Sequence, residues 1–394
     1  MKFDFYLSEM SVSDKHGGGL TLQRVLGNDL NDIKQFIHLK KFAIDLPVKE
    51  ELASRSVNFL SITESNRVRQ LIGRSYAQKA SNSMPVIKAH ARWAAGKIRR
   101  LFKNQNAITA LVCPQGANSI VTLEELKKIT EVKYISWMMD DHLVSYDDGE
   151  WHYPPNIEEQ FFRHLREAEH VFVISSAMQE FYKSRFGVDS TVLFGPAQNK
   201  EVRFSYFSNL NNKLKIGYFG AVGAWQLDAL ESVASAIDSS NVILDIYSGI
   251  EQLPDRLRIE GVNLKASIAA EDVSSVMEKY DGVLLPISFK KQMRNMSQLN
   301  IATKMSEYLA SGVPILAVGP PYAAMIGYLE DNNAAFTVTS QSPNDIREGL
   351  QALRNLEGVQ EILQNAGRLV VTQVGEATMR LVWQSVVNNG HDFK

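Results

Sequence analysis

Short apolar runs alternate with amphipathic segments along the whole chain, the pattern of stacked β-α units around parallel sheets. In the first half this predicts strands near Phe3–Leu7, Lys34–Leu39, Asn58–Ser61, Ala107–Cys113, Val132–Met139, His170–Ile174 and Ser190–Phe194. Helices are predicted at Gly18–Asn28, Ser65–Ser81, Ile87–Lys103, Thr122–Ile129, Ile157–Glu167 and Ala177–Phe186. The pattern breaks between Gly195 and Lys213, where Gly195-Pro196 is a turn and Ser208–Asn212 is polar and strand-breaking. It restarts with a strand at Leu214–Phe219. A helix follows with Leu227, Leu230, Val233, Ala234 and Ile237 on one face. Further strands are predicted at Val242–Tyr247, Val262–Lys265, Gly282–Leu285, Val313–Val318 and Ala335–Val338. Further helices are predicted at Ala270–Lys279, Thr303–Ala310, Tyr322–Glu330, Pro343–Asn355 and Glu376–Val387.

Length agrees with the break. At 394 residues the chain exceeds what one core usually supports, so two α/β domains are expected. Ligands of such sheets bind beyond the carboxyl ends of the strands. The composition, 45% hydrophobic and 22% charged, is ordinary for a globular protein. A formal net charge of −2 gives no global attraction to nucleic acid or to an anionic membrane, so no nucleic-acid partner is expected. The single cysteine, Cys113, lies in an apolar run and reads as buried packing. Asp4 interrupts the N-terminal segment, which does not read as a signal peptide, and no apolar stretch is long enough to span a bilayer. A cytoplasmic protein is expected, with any membrane contact peripheral, on the inner face.

Two segments of the second half carry candidate chemistry. Ile216–Trp225 is a strand running through Gly220 and Gly223 into a helix, where backbone N–H groups and the helix dipole favour an anion. A plain strand-helix turn has the same sequence, and the three-glycine dinucleotide fingerprint is absent. The second segment runs from Pro286 through Arg294 to Pro314. Asn300 or Thr303 can cap its helix, and Gly312 with Pro314 can end it. Lys304 and Glu307, three residues apart, share one helix face. A cation there can neutralise a diphosphate and a carboxylate can accept from a ribose diol; a surface ion pair has the same spacing.

The stretch Thr303–Ala317 resembles the donor-site signature of GT-B fold glycosyltransferases of the large "group 1" family, glycogen synthase-like and including many bacterial cell-surface polysaccharide enzymes. Gly217–Trp225 resembles the first strand and glycine turn of their donor domain, and Asp281–Pro286 the strand leading into the donor segment. The resemblance covers the C-terminal half well and the N-terminal half loosely. It implies two Rossmann-like domains with parallel sheets facing across a cleft: 1–205 for the acceptor, 213–375 for the nucleotide-sugar donor, and a C-terminal helix, 376–394, crossing back to the first domain. It implies that Glu307 binds the donor ribose, that Lys304 and Arg294 face the pyrophosphate, and that Gly220 and Gly223 line it. Many members carry a second glutamate seven residues earlier; Leu299 stands there, which leaves open whether the anomeric configuration is retained.

In the first half, Gly17, Gly18 and Gly19, after His16, stand where the resemblance places a glycine-rich loop that approaches the donor phosphates and the acceptor. Asp140, Asp141 and His142 end a strand, where catalytic groups collect in α/β folds. If transfer inverts, one of these carboxylates can deprotonate the acceptor hydroxyl; if it retains, they orient the sugar or acceptor. They read equally as a loop start, and a lone histidine is most often structural. No Asp-x-Asp metal motif occurs, so no metal is expected, and no cofactor beyond a nucleoside diphosphate sugar as co-substrate. The basic stretch Lys88–Lys103, with Trp93, Ile98, Leu101 and Phe102, can meet an anionic membrane and a lipid-linked acceptor, or be a solvated helix with one buried face. The expected activity is metal-independent sugar transfer to a glycan or lipid-linked hydroxyl in cell-surface polysaccharide biosynthesis. Two readings compete on the same fold: a non-catalytic glycan-assembly subunit and a nucleotide-sugar epimerase. A nicotinamide-dependent oxidoreductase is disfavoured by the broken glycine fingerprint.

Overall fold

The computed structural model describes residues 2–13, 17–40, 48–61, 63, 65–140, 157–198 and 213–389. The chain divides into two compact units. Unit 1 comprises residues up to Gly195 together with Arg380 onward, and unit 2 runs from Pro196 to Met379. Both are α/β with wholly parallel sheets among the described residues.

In unit 1 the strands are β1 (Phe5–Ser8), β2 (Gln35–Lys40), β3 (Ser56–Leu60), β4 (Ala107–Cys113), β5 (Glu131–Met138), β6 (His170–Val173) and β7 (Thr191–Val192), ordered 3-2-1-4-5-6-7 across the sheet. The helices are α1 (Gly17–Leu26), α2 (Asn66–Ile72), α3 (Arg74–Ser81), α4 (Met84–Leu101), α5 (Ala117–Lys127), α6 (Ile157–Glu167) and α7 (Ser176–Phe186). The single helix predicted over Ser65–Ser81 is broken at Gly73, whose φ of +81° no helix accommodates. Ser175 accepts a hydrogen bond from the Met178 N–H and caps α7, a structural role. The core gathers Phe5, Leu7, Ile37, Ile98, Ile108, Val112 and Tyr134 from the sheet and α4. Cys113, on the opposite face of β4 from this cluster, is fully buried near Tyr6, and burial pushes its thiol up.

Unit 2 holds β8 (Leu214–Phe219), β9 (Val242–Ser248), β10 (Val262–Ala266), β11 (Gly282–Pro286), β12 (Ile315–Val318) and β13 (Phe336–Val338), ordered 10-9-8-11-12-13. Counted from its own first strand this is 3-2-1-4-5-6, the doubly wound order. Its helices are α8 (Leu227–Ala236), α9 (Val273–Met277), α10 (Arg294–Leu299), α11 (Thr303–Leu309), α12 (Ala324–Asp331), α13 (Pro343–Ala352) and α14 (Leu356–Leu369), followed by α15 (Glu376–Asn389). The apolar face predicted for the helix after β8 is the face that α8 buries against Ile216, Leu244 and Leu284. Ala302, with no side-chain bond, is the N-cap of α11, in place of the expected Asn300 or Thr303. The helix ends before Gly312, at φ +72°.

The last helix starts in unit 2 and belongs to unit 1 from Arg380. Trp383 is buried against Phe3, Trp137 and Phe172, with ring centroids 6.0, 6.1 and 5.4 Å away, and donates its indole N–H to Asp29. Arg380 donates to the Arg24 carbonyl. Where the chain enters and leaves unit 2 it pairs with itself, the Ala197 N–H donating to the Val374 carbonyl in a parallel bridge. No helix among the described residues is long and apolar enough to cross a membrane.

Candidate donor site

Strand order locates the crevices. In each unit the chain leaves its first strand in one direction and later returns on the other side, which opens a space beyond the carboxyl ends of the two central strands. In unit 2 these strands are β8 and β11.

The turn after β8 begins at Gly220, whose φ of +148° L side chains rarely adopt. A Cβ there would collide with the Lys304 ammonium and lie 2.9 Å from Lys304 Cε. The glycine is needed because the lysine passes over its α-carbon. Gly223 is less constrained: the nearest atoms to an added Cβ are 3.9 Å away. It accepts from the Gln226 and Leu227 N–H groups as α8 begins.

Lys304 is reached from α11. Its ammonium sits 4.3 Å from the centre of the Tyr218 ring and donates to the Tyr218 hydroxyl at 3.2 Å. The same hydroxyl donates to the Ala221 carbonyl at 2.5 Å, so one tyrosine ties the lysine to the glycine turn. Burial lowers the Lys304 pKa to about 8, with the Glu307 carboxylate pulling the other way. Burial also pushes the Tyr218 hydroxyl up. A second tyrosine fixes the helix: the Phe219 N–H, at the end of β8, donates to the buried Tyr308 hydroxyl at 3.1 Å.

Glu307, one turn along from Lys304, lines a small cavity of about 30 Å³ with Gln198, Ala270, Val273, Ser274, Met277 and Ala310. Arg294, first residue of α10, lies with its guanidinium 4.9 Å from the Tyr322 ring centre and donates to Gln298. Asp228, in the first turn of α8, bridges the crevice. It accepts from the Ser288 hydroxyl at 2.5 Å and the Phe289 N–H at 2.8 Å, while the Ser288 N–H donates to the Trp225 carbonyl. The loop after β11 is thereby sewn to the glycine turn. Structure thus brings Gly220, Lys304 and Glu307 together and sets Arg294 against Tyr322. Tyr218, Tyr308, Asp228 and Ser288 complete the framework and carry no sequence motif; only their position beside the glycine turn and in the Lys-x-x-Glu-Tyr segment could have marked them.

Unit 1 carries the other candidates. Gly17, Gly18 and Gly19 form the first turn of α1 rather than a loop. A Cβ on Gly18 would meet Met10 Sδ at 2.7 Å and Met139 Sδ at 3.7 Å, so the start of α1 lies beside the end of β5, next to Asp140. Asp141, His142 and His16 lie outside the described residues. The crevice between β1 and β4 is filled from within. Ser8 donates to the Cys113 carbonyl, and the Glu9 carboxylate accepts from the Gln115 and Ser119 N–H groups at 2.9 and 2.8 Å and from the Ser119 hydroxyl. Burial raises the Glu9 pKa against these donors.

No protein-family model and no curated protein matches the chain. Its structure, however, is similar to several solved ones over nearly its full length. A sucrose-phosphate synthase of Thermosynechococcus elongatus superposes with a TM-score of 0.67 at 13% identity, covering 98% of each chain. HepE of Anabaena, in complex with UDP and glucose, gives 0.65 at 12% identity over 98% of this chain and 99% of that one. The lipopolysaccharide outer core galactosyltransferase WaaB, in its apo form, gives 0.61 at 13% identity, again over 98% and 99%. Two parallel doubly wound sheets in this order, and these similarities along both units, establish that the chain has the GT-B fold.

Proposed function

We propose that the protein is a nucleotide-sugar-dependent glycosyltransferase whose donor site is the crevice between β8 and β11. The observation that carries this reading is the ammonium of Lys304 held over Gly220 at the switch point, one helical turn from Glu307. A preorganised cation beside the start of α8 is suited to a diphosphate leaving group, and Glu307 to a ribose diol. The nucleotide sugar bound in one similar structure, UDP-glucose in HepE of Anabaena, agrees with that chemistry.

In the proposed reaction the bond between the anomeric carbon and the diphosphate oxygen breaks with its electron pair passing to the diphosphate. The acceptor hydroxyl oxygen forms the new bond and gives up its proton. Lys304 meets the charge that develops on the leaving group, with Arg294 as a second cation, and the chain's own cations supply what a divalent ion would otherwise supply. If the transfer inverts, Asp140 or Asp141 takes the acceptor proton, with His142 as a partner; if it retains, the leaving diphosphate takes it. The three glycines that begin α1 stand near the end of β5, next to Asp140. The acceptor is proposed to be a glycan or lipid-linked hydroxyl in cell-surface polysaccharide biosynthesis, with the segment Lys88–Lys103 as a peripheral membrane contact on the cytoplasmic face.

The test is thermal stabilisation of the purified protein by UDP, GDP, TDP and CDP and their sugars, with Glu307→Ala alongside. Occupancy of a native site stabilises logarithmically with ligand concentration, so modest affinity registers. A shift with one nucleotide class that the variant loses supports the donor site and identifies the base. No shift with any of them rejects it. Nucleotide-dependent stabilisation with no release of diphosphate from any donor would favour the non-catalytic subunit instead.

A further inference from the structure

From Ser65 to Leu123 the chain contains ten lysines and arginines and no aspartate or glutamate, although acidic residues outnumber basic ones in the whole protein. All ten cations lie on α2, α3, α4 and the turn after α4. These helices follow one another in the chain, α2 contacting α3 and α3 contacting α4.

The solvent face of α4 is a regular stripe. Pro85, Ala89, Arg92, Trp93, Lys97, Arg100 and Leu101 are exposed at spacings of three and four, while Ile87, His90, Ala91, Ala94, Ala95 and Ile98 are buried on the opposite side. The stripe mixes cations with apolar groups, Trp93 and Leu101 each being 48% exposed. Of its cations, Arg92 is paired with Glu125 on α5. The two helices before α4 are more unusual. α2 buries none of its residues, and Leu71 and Ile72 are 84% and 41% exposed at its end, just before the Gly73 break. Tyr76, on α3, is 73% exposed. A seven-residue helix in which only Val68 and Arg69 are half-buried gains little stability from packing, and isolated helices so short are unstable in water. Aliphatic side chains displayed among cations gain nothing from a phosphate backbone, but they do gain from the acyl boundary of a bilayer whose headgroups attract the cations.

We propose that α2, α3 and the outer stripe of α4 form a docking surface for an anionic lipid bilayer, with Leu71, Ile72 and Tyr76 entering the interface and the exposed cations Arg67, Lys79, Lys97 and Arg100 lying at headgroup level. This deepens the membrane contact proposed for Lys88–Lys103 and rests on it. It extends that contact to two helices outside the segment. It does not depend on the donor site in unit 2.

The experiment is sedimentation of the full chain with vesicles of phosphatidylcholine alone and of phosphatidylcholine with phosphatidylserine, in low and high salt. The expected result is binding to the anionic vesicles only, weakened by salt. The double variant Leu71→Asp/Tyr76→Asp and the double variant Lys97→Glu/Arg100→Glu should each weaken that binding by about tenfold or more, from roughly 1 kcal/mol per charge at such a surface. All four residues are exposed, so the melting temperature should stay unchanged and show that the variants fold. Equal sedimentation with both vesicle types, or wild-type binding by the Leu71/Tyr76 variant, overturns the proposal. So does a duplex oligonucleotide that binds both this variant and the wild type and displaces the wild type from vesicles, which would make the surface a nucleic-acid site. Nucleotide stabilisation is measured without vesicles, so failure of the donor reading and failure of this one are seen separately.

Discussion

Two crevices of the same topology are finished with opposite charge. In unit 1 the space between β1 and β4 is occupied by the chain's own anion, Glu9, which accepts the Gln115 and Ser119 N–H groups at the start of α5. In unit 2 the space between β8 and β11 presents a cation, Lys304, above a glycine that has no room for a side chain. The dipole at a helix start favours a negative group in either place. Unit 1 provides that group itself, whereas unit 2 places an ammonium where a ligand's phosphate would be drawn. The same parallel sheet therefore serves as a closed framework in one unit and as a candidate anion site in the other, and a few side chains decide which.

Removing the cation should break this contrast most strongly. Lys304→Ala is expected to lower kcat/KM for the best donor by about 10²- to 10³-fold, the usual effect of deleting one preorganised charge or donor at a developing anion. Steady-state kinetics checks it, and a change below threefold would remove Lys304 from the chemistry. Gly220→Ala should follow, since a methyl group there displaces the ammonium and strains a φ of +148°. Donor-induced stabilisation should disappear, whereas Gly223→Ala, with open space around it, should leave the unliganded melting temperature unchanged. Glu9→Ala should do the reverse: about 1–3 kcal/mol of unfolding free energy lost through the unpartnered N–H groups, read by denaturant titration, with nucleotide affinity unchanged.

The smallest effect concerns pH. With its pKa near 8, free Lys304 loses its charge above that pH, and a diphosphate needs the charged form, so binding there takes up a proton. Nucleoside diphosphate affinity should therefore be flat below pH 7 and fall above pH 8. The fold responds with the opposite sign. A lysine pKa depressed below its ordinary 10.5 makes the buried ammonium unfavourable below pH 8, a cost that fades between pH 8 and 10.5. Tyr218→Phe keeps the ring under the ammonium and removes the hydroxyl that links it to Ala221. A few-fold loss of affinity and a displaced pH break are expected. An unmoved break would leave Tyr218 with only a packing role.

How much of this was legible beforehand differs between strands and site. Every strand lies within about two residues of its predicted position, because runs such as Ala107–Cys113 have one physical outcome when both faces are covered by helices. Periodicity predicts one helix over Ser65–Ser81 because it does not register the positive φ of Gly73, which splits it into α2 and α3. α14 has no counterpart among the predicted helices, since the pattern gives one over Pro343–Asn355 and the next only at Glu376, whereas the first ends at Ala352 and α14 spans Leu356–Leu369. At the candidate site, the Lys-x-x-Glu spacing makes it legible that Lys304 and Glu307 share one turn of α11, while their donor-binding role comes only from the family resemblance. Tyr218 and Asp228 were not legible, since their importance comes from contacts to Lys304 and Ser288 that are 86 and 60 residues away. The family resemblance implies a loop at Gly17–Gly19 while the hydrophobic pattern starts a helix at Gly18; the three glycines open α1, and the missing side chain of Gly18 admits Met10.

Trp383 sets the order in which the molecule can be finished. Its ring fills the core of unit 1 between Phe3, Trp137 and Phe172, and it is made about 190 residues after the last strand of that unit. On a ribosome, unit 2 has emerged whole before the residue that completes the first sheet's packing appears. The half synthesised first is thus the half that closes last, and until then it exposes an aromatic seam that a chaperone would recognise.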